Sequence, residues 1–73
     1  MDIKAMGNRI RMLREELGQT KRFVAKQTGI SYSSICQYEY GLRFPSDANK
    51  VKLASYFGCS VEYLFYAGEN NDS

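Results

Sequence analysis

The sequence predicts one small all-α domain built from five short helices. Apolar residues recur at spacings of three and four along the chain, which is the period of a helix with one buried face. Glycines close these apolar stretches where a helix would end, and hydroxyl side chains follow them where the next helix would begin. No stretch of alternating apolar and polar residues is long enough for a strand. A chain of 73 residues accommodates one domain of this kind and not two.

The first predicted helix spans residues 3–17. Its apolar side chains form one stripe, made of Ile3, Met6, Ile10, Leu13 and Leu17. Gly7 interrupts this stripe, and a glycine inside a helix costs up to about 1 kcal/mol relative to alanine. The pattern therefore also allows a helix that begins nearer Asn8.

The other four helices are shorter and are bounded by the same kinds of residue, a hydroxyl residue near the start and a glycine near the end. Their predicted ranges are 21–28, 32–40, 47–57 and 61–66. A serine or threonine near the start of each is predicted to cap it, because a hydroxyl oxygen accepts hydrogen bonds from the free backbone N–H groups of the first turn. These caps are Thr20, Ser31, Ser46 and Ser60. In the fourth helix, the residues expected to point inward are Val51, Leu53, Ala54 and Phe57.

Charge is distributed unevenly, although the net charge is only +2. Residues 1–45 hold eight basic and four acidic side chains, a balance of +4, whereas residues 46–73 hold two basic and four acidic side chains, a balance of −2. A domain predicted at residues 1–67 would thus carry its positive charge in its first two thirds, which suits a polyanionic partner. Residues 68–73 are polar and are predicted to form a flexible tail.

The chain lacks the residues that several classes of function require. The chain has no histidine, its acidic residues are scattered, and no nucleophile motif or glycine-rich phosphate loop is present, so we expect no enzyme. Cys36 and Cys59 have no metal-ligand spacing, and we expect neither a metal nor a cofactor. The N-terminus lacks a secretory apolar core, and no apolar run approaches the roughly 20 residues of a membrane span. We expect a cytoplasmic, nucleoid-associated protein without a membrane partner or a small-molecule ligand.

Residues 20–40 are predicted to form a helix-turn-helix. Two helices of eight or nine residues are joined by the short segment Gly29-Ile30-Ser31. A turn that short, with glycine at its first position, forces a sharp angle between the helices. Ala25 is small where the two helices would cross, and the apolar Ile30 can fill the junction between them.

The third helix has two chemically different sides. At about 100° per residue, Tyr32, Ser33 and Gln37 lie on one side, and the apolar anchors Ile35 and Tyr38 lie on the other. The first side is polar and carries no charge. Such a face suits the edges of DNA bases, because an amide can form two hydrogen bonds with adenine.

Basic side chains flank this face on neighbouring segments. Lys21 and Arg22 stand at the start of the second helix, and Arg43 lies beyond the third. Contacts with phosphates position a protein on DNA, whereas contacts with bases specify the sequence. This arrangement predicts a protein that binds double-stranded DNA with its third helix in the major groove.

The residues around this segment carry a wider pattern. It runs Gly18-x-Thr20-x-x-x-Val24-Ala25-x-x-x-Gly29-Ile30-Ser31-x-x-Ser34-Ile35-x-x-Tyr38-Glu39-x-Gly41-x-x-x-Pro45. Together with Arg9-Ile10-Arg11-x-Leu13-Arg14 and with residues 53–64, it resembles the Cro/Xre-type family of phage and bacterial repressors. The resemblance covers residues 7–66. It implies a compact lambda-repressor-like domain of five helices that regulates transcription, as a homodimer on an inverted repeat.

The resemblance also implies roles for individual residues. The base-reading positions fall on Tyr32, Ser33 and Gln37, and the phosphate-contacting positions fall on Lys21, Tyr40 and Arg43, with Arg22 beside them. An ion pair between Arg14 and Glu39 would clamp the first helix to the end of the third. Lys21 stands where the family usually has glutamine, and Thr28 stands where it usually has leucine.

Two alternatives stay open at the C-terminal end and in the function. Phe65 and Tyr66 could form an aromatic patch for self-association, since aromatic residues are enriched in interface cores. Equally, they could pack against the first helix. A protein-interaction module, such as an antitoxin that binds a partner protein, is the alternative to a DNA-binding regulator.

Overall fold

The computed structural model describes residues 2–66, which form five helices and no strand within that range. Four are α-helices: α1 (Ile3–Glu16), α2 (Lys21–Thr28), α3 (Tyr32–Glu39) and α4 (Asp47–Phe57). The fifth, which we call the C-terminal helix, is a π-helical turn at Glu62–Tyr66. The predicted all-α fold and helix order are confirmed, and the predicted tail at 68–73 lies outside the described residues. Of the helices in this range, none is long and apolar enough to cross a membrane.

Side-chain caps define where the helices begin. The four predicted hydroxyl caps each accept a hydrogen bond from the backbone N–H three residues further on, at 2.9–3.2 Å. They are Thr20, Ser31, Ser46 and Ser60. Asp2 is a fifth cap, and its carboxylate accepts hydrogen bonds from the backbone N–H groups of Lys4 and Ala5 in the first turn of α1, at 3.0 and 3.2 Å. The helix therefore begins at Ile3, and the alternative start near Asn8 is wrong.

The core lies where α1 packs against α3 and the C-terminal helix, and where α2 packs against α3 and α4. Its largest fully buried side chains are Tyr38, Phe65, Met6, Ile10, Ile35, Leu53, Leu64 and Val24. In α4 the expectation for Val51 is wrong, because its side chain is 58% exposed. Leu53 and Ala54 face the core, and a residue two positions before Leu53 points about 200° away from it around the helix.

Gly7 marks the point where α1 and α3 come closest. It is buried, and a Cβ atom added to it would lie 2.6 Å from the carbonyl oxygens of both Tyr38 and Glu39. Those distances are far below van der Waals contact, so only glycine permits this approach of the two backbones. The glycine that weakens the helical pattern of α1 is thus the residue that lets α1 dock against the end of α3.

The C-terminal helix is held against α1 by its apolar side and by one long-range hydrogen bond. Leu64 and Phe65 are buried at 0% and 2% exposure, so Phe65 belongs to the core and cannot line a surface patch. Tyr66 remains exposed. Arg9 of α1 donates a hydrogen bond from Nη1 to the carbonyl oxygen of Leu64 at 3.0 Å, and its guanidinium lies over the ring of Tyr63. Of the two alternatives for Phe65, the surface patch is wrong, because the residue is part of the buried core.

Candidate nucleic-acid interface

The turn between α2 and α3 is closed by local hydrogen bonds and one buried side chain. Gly29 adopts a left-handed conformation, with φ of 77°, and its N–H donates to the carbonyl oxygen of Ala25 at 2.9 Å. Ser31 then caps α3 directly. Between them, Ile30 is 5% exposed and fills the junction between the helices. Two short helices joined by a three-residue turn with a buried Ile30 form the predicted helix-turn-helix.

Thr28 strengthens this turn in a way that the sequence pattern does not reveal. Its hydroxyl donates to the carbonyl oxygen of Val24 at 2.8 Å and accepts from the N–H of Ile30 at 3.2 Å. A leucine at this position would fill space but could make neither bond. The hydroxyl ties the last turn of α2 to the first residue after Gly29, so the angle between the helices is set partly by hydrogen bonding.

The outer face of α3 carries the three residues predicted to read bases. Tyr32 and Ser33 are exposed, and Gln37 is half-buried one turn further along the same side. The Gln37 Nε2 atom lies 3.4 Å from the Ser33 Oγ atom, which is a long hydrogen bond between adjacent turns. Ile35 and Tyr38 are buried on the opposite side, at 0% and 1% exposure. The helix thus presents an uncharged polar face while its apolar side anchors it in the core.

Two cations at the start of α2 lie against tyrosine rings at the two ends of α3. The Lys21 Nζ atom is 5.2 Å from the centre of the Tyr40 ring, and the Arg22 Cζ atom is 4.1 Å from the centre of the Tyr32 ring. An open cleft of about 480 Å³ beside the Thr20 cap is lined in part by Lys21, Arg22 and Tyr32. A helix N-terminus carries partial positive charge. The cleft therefore combines two cations with the positive end of α2.

Arg43 approaches α3 from the other side. Its Nη2 atom donates to the Ser34 hydroxyl at 2.6 Å, and its guanidinium lies 5.4 Å from the centre of the Tyr38 ring. The Ser34 hydroxyl is also 2.9 Å from the hydroxyl of the cap residue Ser31. Ser34 is a site residue that the sequence pattern did not single out as such. Its hydroxyl holds Arg43, the cation of the loop after α3, against this helix.

The same arrangement matches a known family along most of the chain. The family model described as helix-turn-helix matches residues 10–64. The chain belongs to the helix-turn-helix family, of the Cro/Xre type. One relative is the HTH-type transcriptional regulator DicA of Escherichia coli K12, with 34% identity over 65 residues, or 89% of this chain and 48% of that protein. Another is the competence pilus inhibition repressor of Acinetobacter baylyi, with 37% identity over 73 residues, or 100% of this chain and 64% of that protein.

A solved structure with the same fold supports this assignment. The crystal structure of the restriction-modification controller protein C.AhdI from Aeromonas hydrophila has a TM-score of 0.80 to this chain at 31% identity. The match covers 88% of this chain and 97% of that chain. By contrast, this helix-turn-helix chain spans only 48% and 64% of the length of the two curated relatives.

In this helix-turn-helix protein, Arg14 and Glu39 form a buried ion pair that joins α1 to the end of α3. The Arg14 Nε and Nη2 atoms donate to the two Glu39 carboxylate oxygens at 2.7 and 2.9 Å. The Arg14 Nη1 atom also donates to the carbonyl oxygen of Gln19 at 2.9 Å. Hydrogen bonding to Glu39 raises the pKa of Arg14 despite its burial, so the guanidinium stays charged. With only 1% of its side chain exposed, Glu39 points into the interior and not to the polar outer face of α3.

The helix-turn-helix is also tied to α4. The Asn49 Nδ2 atom donates to the hydroxyl of the buried Tyr38 at 3.0 Å. This bond satisfies the one polar atom of the largest core side chain on α3. No sequence pattern links Asn49 to Tyr38, because the two residues meet only after the chain has turned between α3 and α4.

Proposed function

We propose that this helix-turn-helix domain binds double-stranded DNA sequence-specifically and regulates transcription, with α3 inserted in the major groove. The observation that carries the proposal is the division of side chains around α3. Its outer face is polar and uncharged, while the cations Lys21, Arg22 and Arg43 approach from α2 and from the loop after α3. Charges placed at the rim suit the phosphates, and neutral donors and acceptors at the centre suit the bases.

Three residues have the position and chemistry to read bases. The Gln37 amide can bond adenine through both its oxygen and its nitrogen, and the Ser33 hydroxyl can donate or accept beside it. Tyr32 is bulkier, and its ring suits contact with a thymine methyl group. Ser33 and Gln37 lie within hydrogen-bond distance of each other, and we expect them to contact neighbouring bases.

The phosphate contacts are assigned to the rim of the interface. Lys21 and Arg22 line the cleft at the start of α2, where the helix end itself favours an anion. The exposed Tyr40, whose ring centre lies 5.2 Å from the Lys21 Nζ atom, would contact the backbone beside Lys21, and the exposed loop residue Arg43 would add a further phosphate contact. We propose that the protein acts in the cytoplasm, on the nucleoid.

A homodimer on an inverted repeat is the form in which we propose that the domain acts. A single recognition helix reaches only a few base pairs, and two copies bound one helical turn apart double the number of contacts. Phe65 takes no part in the association because it is buried, and Tyr66 alone of the predicted aromatic patch is exposed. Sedimentation of the free protein and of its complex with a selected duplex would measure the stoichiometry directly.

Selection from a random duplex library at roughly 150 mM salt tests the function itself, because salt suppresses the purely electrostatic component of binding. We expect an inverted repeat with half-sites one turn apart, bound at least ~10³-fold more tightly than scrambled DNA. Absence of enrichment, with only weak and salt-sensitive binding, would contradict the proposal and favour a protein partner, as in an antitoxin.

Replacing Gln37 with alanine is expected to weaken binding to the selected site by about 1–3 kcal/mol and to relax the base preference at one position. The reason is the loss of a paired amide contact with one base. Titration of the selected duplex and of its single-base variants measures both effects. Gln27→Ala, at an exposed glutamine on α2, is the matched control and should change neither. An equal loss on selected and scrambled DNA would remove Gln37 from the base-reading set.

Replacing Lys21 with alanine is expected to weaken binding to all sequences and to lower the salt dependence of log K by about one ion. A lost phosphate contact releases one counterion fewer, whichever base lies nearby. Lys26→Ala removes an exposed lysine near the other end of α2 and should leave the slope unchanged. If Lys21→Ala leaves the slope where it was, the phosphate assignment is wrong.

A further inference from the structure

Arg22 and Tyr32 form a closer contact than any other cation and aromatic ring in residues 2–66. The Arg22 Cζ atom lies 4.1 Å from the centre of the Tyr32 ring, whereas the remaining contacts of this kind measure 5.2–6.0 Å. At 4.1 Å the guanidinium and the ring face touch, as they do when an arginine stacks on an aromatic side chain. One residue of α2 thereby covers one face of the first residue of α3.

Tyr32 stands where such support matters. It is the first residue of α3, at the edge of the base-reading face, and its side chain is 39% exposed. The domain interior therefore does not fix the orientation of its ring. Because a tyrosine ring turns about two side-chain torsions, an uncovered ring at a helix start would sample several directions. The stack with Arg22 selects one of them.

We infer that Arg22 is a positioning residue that sets base preference: by stacking on Tyr32, it holds the tyrosine ring in the orientation that meets the DNA. This inference rests on the proposed DNA-binding function and adds a specificity role to a residue otherwise assigned to phosphate. The two roles are compatible, since a guanidinium stacks through its face and donates hydrogen bonds from its edge. One side chain then connects the backbone contact to the base contact.

Lysine could not take this role, as a comparison with the contact between Lys21 and Tyr40 illustrates. Lys21, the preceding residue, places its ammonium group 5.2 Å from the centre of the Tyr40 ring. An ammonium group is a compact, strongly hydrated charge with no plane to lay on a ring. Tyr40 is the more exposed of the two tyrosines, at 58% against 39%. The expected difference between Arg22 and Lys21 is therefore one of shape and not of charge.

The test is Arg22→Lys, which keeps the charge and removes the plane, measured on the selected duplex and on its complete set of single-base variants. We expect an unchanged salt slope and a loss of discrimination of about two- to fivefold, the worth of an exposed cation–π contact. The loss should fall on the base pairs that Tyr32→Leu also affects. Tyr32→Phe, which keeps the ring, should retain the preference, and the control Lys26→Arg, at an exposed lysine near the other end of α2, should leave it unaltered.

A double-mutant cycle separates positioning from a simple phosphate contact. Arg22→Lys should have no further effect on base preference in a Tyr32→Leu background, because the ring that it orients is gone. Urea unfolding of each variant checks that the domain is intact, which the exposure of Arg22 and Tyr32 favours. In the wild-type protein, NMR should show ring-current shifts on the Arg22 side chain that Tyr32→Leu abolishes.

Three results would overturn the inference. The first is an unchanged base preference in Arg22→Lys. The second is a uniform loss of affinity of this variant for selected and scrambled DNA, together with a smaller salt slope, which would make Arg22 a phosphate contact only. In both cases the wild-type protein still selects a sequence, so the proposed function stands. If the wild-type protein enriches no sequence at all, the proposed function fails and this inference fails with it.

Discussion

Replacing Glu39 with alanine is expected to lower the free energy of unfolding by about 3–5 kcal/mol, the usual cost of removing one partner of a buried ion pair. The carboxylate accepts two hydrogen bonds from Arg14 in a site where only 1% of the Glu39 side chain is exposed. Without it, the Arg14 guanidinium would remain in the interior with most of its charge uncompensated. A domain this small is marginally stable, so this loss is a large part of its total stability.

Urea unfolding followed by far-UV circular dichroism measures this effect. Glu16→Ala, which removes an exposed carboxylate near the end of α1, is the control and should change the unfolding free energy by less than about 1 kcal/mol. The double variant Arg14→Met/Glu39→Leu should be more stable than Glu39→Ala, because it removes both buried charges together. If Glu39→Ala unfolds at the same urea concentration as the wild-type protein, the ion pair does not stabilise the junction of α1 and α3.

Replacing Gly7 with alanine is expected to destabilise the domain by about 3 kcal/mol, at the upper end of the cost of overpacking. Helix propensity predicts the opposite, since alanine inside a helix is better than glycine by about 1 kcal/mol. The contacts of the added methyl group decide whether the substitution stabilises or destabilises the domain. The added methyl group would meet the carbonyl oxygens of Tyr38 and Glu39 at 2.6 Å, and both are backbone atoms that cannot rotate away. The two helices would have to separate.

The neighbouring residue provides the matched control for this prediction. Asn8→Ala, at an exposed position of the same helix, should be neutral or slightly stabilising through helix propensity alone. Separation of α1 from α3 would also disturb the Arg14–Glu39 pair, so the loss in Gly7→Ala should be smaller in an Arg14→Met/Glu39→Leu background. A stabilised Gly7→Ala variant would show that α1 can shift at little cost.

The local rules of helix formation were sufficient for most of the backbone. Each internal helix has a hydroxyl residue at its start, and α2 and α4 end at glycines, so their ranges follow from residues no more than a few positions apart. The Gly29-Ile30-Ser31 turn and the two sides of α3 follow from the same kind of local pattern. Helix propensity does not settle the start of α1, because it penalises Gly7, whereas the cap at Asp2 decides it.

Local rules of helix formation do not predict contacts between residues that are distant in the sequence. From the sequence pattern, Phe65 is equally compatible with a surface patch and with the core, and only the packing of the C-terminal helix in the folded chain buries it. Val51 is apolar at a helical position and is nonetheless exposed, because α4 turns Leu53 and Ala54 to the core. The bond between Arg9 and Leu64 spans 55 positions, and no spacing rule relates them.

Local sequence patterns are therefore enough to predict the helices, the turn between α2 and α3, and the chemical character of the face that α3 presents. These depend on backbone preferences and side-chain period, which act within one or two turns of helix. The tertiary structure decided which residues support that face: Gly7 at the crossing, Ser34 beneath Arg43, and Arg22 against Tyr32. Such pairs depend on the distance and angle at which helices cross, and those are set by the packing of the whole core.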